Sequence, residues 1–95
     1  MFERILSRMR EKVRALQYVM TLHAEEEMDS DGLSIFDVEQ AILTGHIVER
    51  QKDAETGEWK YLVRGSSVEG QGVVIVSKLS STGSLIIITV YADGA

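Results

Sequence analysis

The sequence predicts an α+β fold in which two or three N-terminal helices pack on a four-stranded antiparallel sheet. Three observations carry this. Apolar residues recur at helical spacing only before Gly45, they alternate after it, and glycine-bearing turns separate the alternating runs at hairpin distance. Helices first and strands afterwards is the order of segregated layers rather than of repeating βαβ units.

Phe2, Ile5, Leu6, Met9, Val13 and Leu16 fall in one arc of a helical projection with Arg4, Arg8 and Arg14 outside it, which predicts a first helix over about residues 2–16. The segment "YVMTL" is β-prone and reads as a brief strand or an extended connector. A short helix follows over His23–Asp29, with Thr21 as N-cap and glutamates in the first turn, where negative charge complements the helix dipole. "DSDG" ends it. The third helix is marked by Ser34 as N-cap, Asp37 at the third helical position and Gly45 as the C′ residue, with Ile35, Val38, Ala41 and Ile42 on its buried face. Strands are expected at about 46–52, 58–64, 72–79 and 84–91. "DAETGE" and "SSTGS" make tight connections, and "GSSVEGQG" makes a looser one. Both side-chain phases of "GVVIVSKL" and "SLIIITVY" are largely apolar, which predicts central strands covered by helices on one face and by further cover or a partner on the other.

Composition narrows the class. A chain of 95 residues with 44% hydrophobic and 26% charged residues is expected to form one domain around one core, residues 1–17 being an amphipathic helix and 18–95 the α+β region. No apolar run reaches the length of a membrane span, the N-terminus lacks the apolar stretch of a secretory signal, and there is no cysteine for a disulfide, a thiol nucleophile or a thiolate zinc site. A cytoplasmic location is the default expectation. The net charge of −5 is uneven: residues 1–17 carry five bases and two acids, a balance of +3, so the remainder carries −8. From Glu25 to Glu39 there are seven acids and no base. That balance argues against a broad nucleic-acid grip, which needs a dominant basic surface.

His23 stands just before Glu25, Glu26 and Glu27, and carboxylates favour an imidazole's charged form, so it is a candidate general acid or base. The alternative is a partly exposed histidine at a helix entrance. A metal site on His23 and Glu27 lacks further ligands, since only His46 remains as an imidazole, and no metal or other cofactor is expected. "AEEEMDSDG" lacks the register of a calcium loop, and the serine pairs at 66–67 and 80–81 read as turn residues. Lys60, Leu62 and Arg64 share one face of their strand opposite Trp59, Tyr61 and Val63. Lys60, Arg64, Tyr91 and His23 could together form a small RNA-cleaving site, the cations stabilising phosphorane charge and His23 or Tyr91 moving protons. A solvated cationic edge and a core-rim tyrosine are the plainer alternative.

"TLHAEEEM" at 21–28, "LSIFDVEQAILTG" at 33–45, "KYLVRG" at 60–65 and "IIITVY" at 86–91 together resemble a bacterial domain family of unknown function with the pattern T-x-H-A-x-x-R-M, I-S-x-x-D-V-x-x-A-I-x-x-G and a closing T-V-Y. That family is similar in fold to RelE- and ParE-type toxins. The resemblance implies RNA cleavage or interference with translation in a toxin–antitoxin system, the partners being RNA or the ribosome and an antitoxin-like protein. Of the implied site, His23 matches the H-A position. Glu27 stands where the pattern has arginine, and Val73 where the central strand often has histidine. Two other expectations compete with the toxin reading. One is a non-catalytic binding module whose partner has a basic or apolar face. The other is a homodimer in which the first helix packs across the sheet of a second copy.

Overall fold

A computed structural model describes residues 1–93, with elements in the order α1 (Glu3–Arg14), β1 (Tyr18–Met20), α2 (Leu22–Ser30), α3 (Ile35–Thr44), β2 (His46–Lys52), β3 (Trp59–Ser66), β4 (Gly72–Leu79) and β5 (Leu85–Ala92). The α+β class holds, but the sheet has five strands in the order β1-β5-β4-β3-β2 and is mixed. β2 to β5 form the expected antiparallel meander. β1 adds to the outside of β5 in parallel, Tyr18 opposite Leu85 and Met20 opposite Ile87. The expectation of a four-stranded antiparallel sheet missed it because three residues are too few for alternation to separate a strand from a connector.

Cross-strand partners share a face, so Val63, Ile75 and Val90 form one buried row and Arg64, Val74 and Tyr91 the next row on the opposite face. On the buried side, Met9 and Val13 of α1 and Val38, Ala41 and Ile42 of α3 pack with Val63, Val73, Ile75, Leu85, Ile87 and Val90. The first helix is therefore cover for its own sheet, contrary to the expectation that it lies across a second copy. Arg10 ties it down: its Nε donates to the Ile42 carbonyl at 3.2 Å and its Nη2 to the Gly45 carbonyl at 2.8 Å. A cation is thereby placed on carbonyls that the end of α3 leaves without helical partners.

Local signals set the helix ends. Thr21 accepts the Ala24 N–H at 3.1 Å, and Ser34 and Asp37 form a complete capping box. α1 stops at Arg14 rather than reaching residue 16. Gln17 N–H bonds the Lys12 carbonyl and Leu16 N–H the Val13 carbonyl, a Schellman pair in which leucine occupies the left-handed position at φ 56°. Leu16, expected in the buried stripe, is consequently 72% exposed.

Two glycines are required by close approach. A Cβ on Gly45 would lie 2.6 Å from both the Ala41 and Arg64 carbonyl oxygens, and one on Gly65 would lie 2.0 Å from the Ala41 oxygen. Gly45 was expected as the C′ residue that closes α3. It is extended, at φ −90° and ψ −175°, and its role is to let α3 turn directly into the sheet.

Candidate functional site

The face of the sheet opposite the helices carries three of the four residues singled out from the sequence. Arg64 and Tyr91 flank Val74 in one cross-strand row, two strands apart, and Arg64 Nε pairs with Asp93 Oδ2 at 3.3 Å. Val74 between them is only 1% exposed. The next row is Leu62, Val76 and Thr89, all half-buried, followed by Lys78 and Ile86. Lys60 lies on the same face as Arg64 but four residues back along β3, roughly 13 Å at strand rise, beside the Lys78 and Glu58 pair. Lys60 and Arg64 are thus at opposite ends of the face.

His23 is elsewhere, on the first turn of α2. Its side chain is 67% exposed and its Nε2 lies 3.1 Å from Glu27 Oε1. That glutamate has a second partner, because the same Oε1 accepts the Val90 N–H at 3.2 Å. One turn on, Asp31 Oδ2 accepts the Ala92 N–H at 2.7 Å, and at the near end the Thr21 hydroxyl donates to the Ile88 carbonyl at 3.1 Å. Where β1 ends, α2 continues along the open edge of β5 and satisfies its backbone groups with side chains. Two acids of the run Glu25–Glu39 are used in this way. The signal was legible in part: Glu27 and Asp31 share a helix face at a spacing of four, but the strand edge they meet is set by tertiary packing.

A cleft of about 550 Å³ lies between the start of α3 and the β3–β4 loop, lined by Leu33, Phe36, Asp37, Val68 and Gln71 among others. None of His23, Lys60, Arg64 or Tyr91 reaches it. Asp37 closes it off, accepting the Ser34 N–H through Oδ2 at 2.8 Å and the Val68 N–H through Oδ1 at 3.0 Å. Those backbone donors, Ser34 first and then Val68, hold its carboxyl below the usual aspartate range. Its role there is to pin the loop. On the buried-face side, beside the start of α1, the Arg50 guanidinium stacks 3.9 Å from the centre of the Trp59 ring, and Phe2 meets Tyr61 edge-on. Tyr18 donates to Glu39 and is pushed up to about 12, by burial first and then by that carboxylate.

Among the described residues no group of three or more His, Asp or Glu side chains could hold a metal ion. His46 is exposed at the start of β2, opposite Arg64. No helix is long and apolar enough to cross a membrane.

Fold and surface together define a small α+β domain with helices on one side of a mixed sheet and an uncovered opposite face. The chain belongs to the family described as Domain of unknown function (DUF4258), whose profile matches residues 20–92. Comparison with curated proteins and with solved structures gave no match.

Proposed function

We propose that this domain is a non-catalytic protein-binding module and that the uncovered sheet face is its binding surface. The observation that carries this reading is the strip Leu62, Val76, Thr89 and Ile86, apolar apart from one hydroxyl, uncovered by any helix and bordered by Lys60 and by Arg64 and Lys78, which pair with Asp93 and Glu58 at its margins. A partner segment with apolar side chains at its centre and carboxylates at its margins complements that strip. Separation of one of the two proton-transfer candidates from the cations supports the same reading: His23 shares its partner Glu27 with the β5 backbone, at the sheet edge rather than on the cationic face.

A second reading, a toxin-like ribonuclease restrained by an antitoxin-like protein, is favoured by one observation. Arg64 and Tyr91 share an exposed row, where a cation and a phenol could address a phosphodiester together. One experiment separates the two. The wild type, Val76→Lys and His23→Ala are overproduced with a tag in a bacterial host, and growth, RNA integrity and stoichiometric co-purifying protein are measured. A binding module leaves growth and RNA intact in all three and loses its partner only in Val76→Lys. Growth arrest and RNA cleavage that vanish in His23→Ala would establish the nuclease instead.

A further inference from the structure

β1 is an edge of the sheet, and its outer side is unpaired. Its ladder to β5 includes Leu85 N–H to the Gln17 carbonyl at 3.1 Å and Thr21 N–H to the Ile87 carbonyl at 3.0 Å. Parallel pairing alternates along a strand, so Val19 also faces β5 while the N–H and C=O groups of Tyr18 and Met20 point away from it. Among the described residues no backbone group takes them.

The opposite edge of the sheet is protected against pairing. β2 has a register shift between Ile47 and Glu49 and carries Glu49, Arg50 and Lys52. β1 has no such device. From Gln17 to Leu22 there is no charge, and Leu16, Val19 and Leu22 are 72%, 55% and 70% exposed. Leu16 is also the single non-glycine residue with positive φ among the described residues. The left-handed turn at Leu16 ends α1, but a glycine would make that turn without strain, and the exposed leucine side chain packs on nothing in the isolated chain.

We infer that this edge is a self-association surface, on which a second copy pairs β1 to β1 in antiparallel sense about a two-fold axis through Val19. The register follows from the free backbone groups. Centring on Val19 sets Tyr18 opposite Met20 of the second copy, so the outward N–H and C=O groups of each bond those of the other. Leu16 and Leu22 are equidistant from Val19, and the pairing brings Leu16 of one copy to Leu22 of the other, covering the exposed apolar residues at once. Charge agrees. Lys12 and Arg14 end α1 just before this edge, and Glu25 and Glu26 begin α2 just after it, so the two-fold axis opposes the basic end of one copy to the acidic start of the other. This goes beyond the sheet-face reading and does not depend on it, since the two surfaces are different.

Sedimentation equilibrium on the full chain, up to about 200 µM for an interface of this small size, tests the proposal. The expected weight-average mass rises toward twice the 10.6 kDa of one chain, while Val19→Lys stays at 10.6 kDa with an unchanged circular dichroism spectrum. Val19→Cys gives an independent readout because the chain has no cysteine of its own. The two Val19 positions form a non-hydrogen-bonded pair with Cα atoms about 4.5 Å apart, within disulfide reach, so mild oxidation should yield a covalent dimer. Val48→Cys, exposed on the β2 edge, should not cross-link. A wild type that stays monomeric throughout, or a dimer that persists in Val19→Lys, overturns the surface. A dimer whose Val19→Cys form does not cross-link overturns the register.

Discussion

Substituting Gly65 by alanine tests whether this glycine, inside the family match, serves packing or chemistry. Gly65 lies in β3, a strand, where alanine would ordinarily add about 0.4 to 1 kcal/mol of stability by restricting the unfolded chain. Here the added Cβ would sit 2.0 Å from the Ala41 carbonyl oxygen, against the 3.0 Å below which real Cβ contacts essentially never fall. Relief therefore requires α3 and β3 to part by about 1 Å, and gaps of roughly 0.5 to 1 Å forfeit a quarter to a half of each van der Waals contact across the interface. Val38, Ala41 and Ile42, all fully buried, lie on that interface. We expect a loss of about 2 to 4 kcal/mol, or roughly 10 to 30 °C in Tm for a domain of this size. Thermal unfolding followed by circular dichroism measures it. The double variant with Ala41→Gly should not recover, because the obstruction is backbone. A Gly65→Ala protein as stable as wild type would refute the close-packing account and leave the glycine free to be explained by a ligand.

Three further outcomes follow from the same geometry. Arg10→Ala should destabilise by about 1.5 to 3 kcal/mol, since it removes charge-assisted bonds to the Ile42 and Gly45 carbonyls, and urea unfolding that shows no change would dismiss the clamp between α1 and α3. Glu27→Ala should cost about 1 to 3 kcal/mol by leaving the Val90 N–H unpaired, while His23→Ala should stay within about 0.5 kcal/mol. Equal losses would mean that the imidazole, not the strand edge, is what Glu27 serves. Asp37 is held below its ordinary value of 3.8, so its contribution is present above that pH and is lost as pH falls through the lower folded value. The Tm gap between wild type and Asp37→Asn should accordingly narrow as pH drops from about 6 to about 2.5, and a gap that widens contradicts the assignment.

Most of the architecture was legible because its determinants are local. The capping box at Ser34 and Asp37, the cap at Thr21 and the alternation of β2 to β5 each need only a few adjacent residues. What escaped was decided across the fold. β1 is a strand because β5 offers it an edge, not because three residues carry a period. Leu16 fits the helical arc, but the chain leaves the helix at Arg14 and turns it outward. The candidate site was legible only as a set of residue types. Alternation correctly put Lys60 and Arg64 on one face, yet no local rule could show that Tyr91 would align with Arg64, or that His23 would lie at the sheet edge.

Two segments inside the family match, "DVEQAILTG" and "TLHAEEEM", are accounted for by folding. In "DVEQAILTG", Asp37 caps α3 and pins the β3–β4 loop, Val38 and Ile42 fill the core, and Ala41 and Gly45 allow α3 to touch β3. In "TLHAEEEM", Thr21 caps α2 and Ala24 is fully buried. Glu27 accepts the Val90 N–H, a bond that closes part of the open β5 edge. The profile match begins at residue 20, yet Met9 and Val13, which precede it, belong to the same buried cluster as Ile75 and Val90. The core of this chain therefore draws on its first helix as well as on the matched region. The two binding surfaces proposed for this chain, the strip around Val76 and the edge around Val19, both lie outside that core.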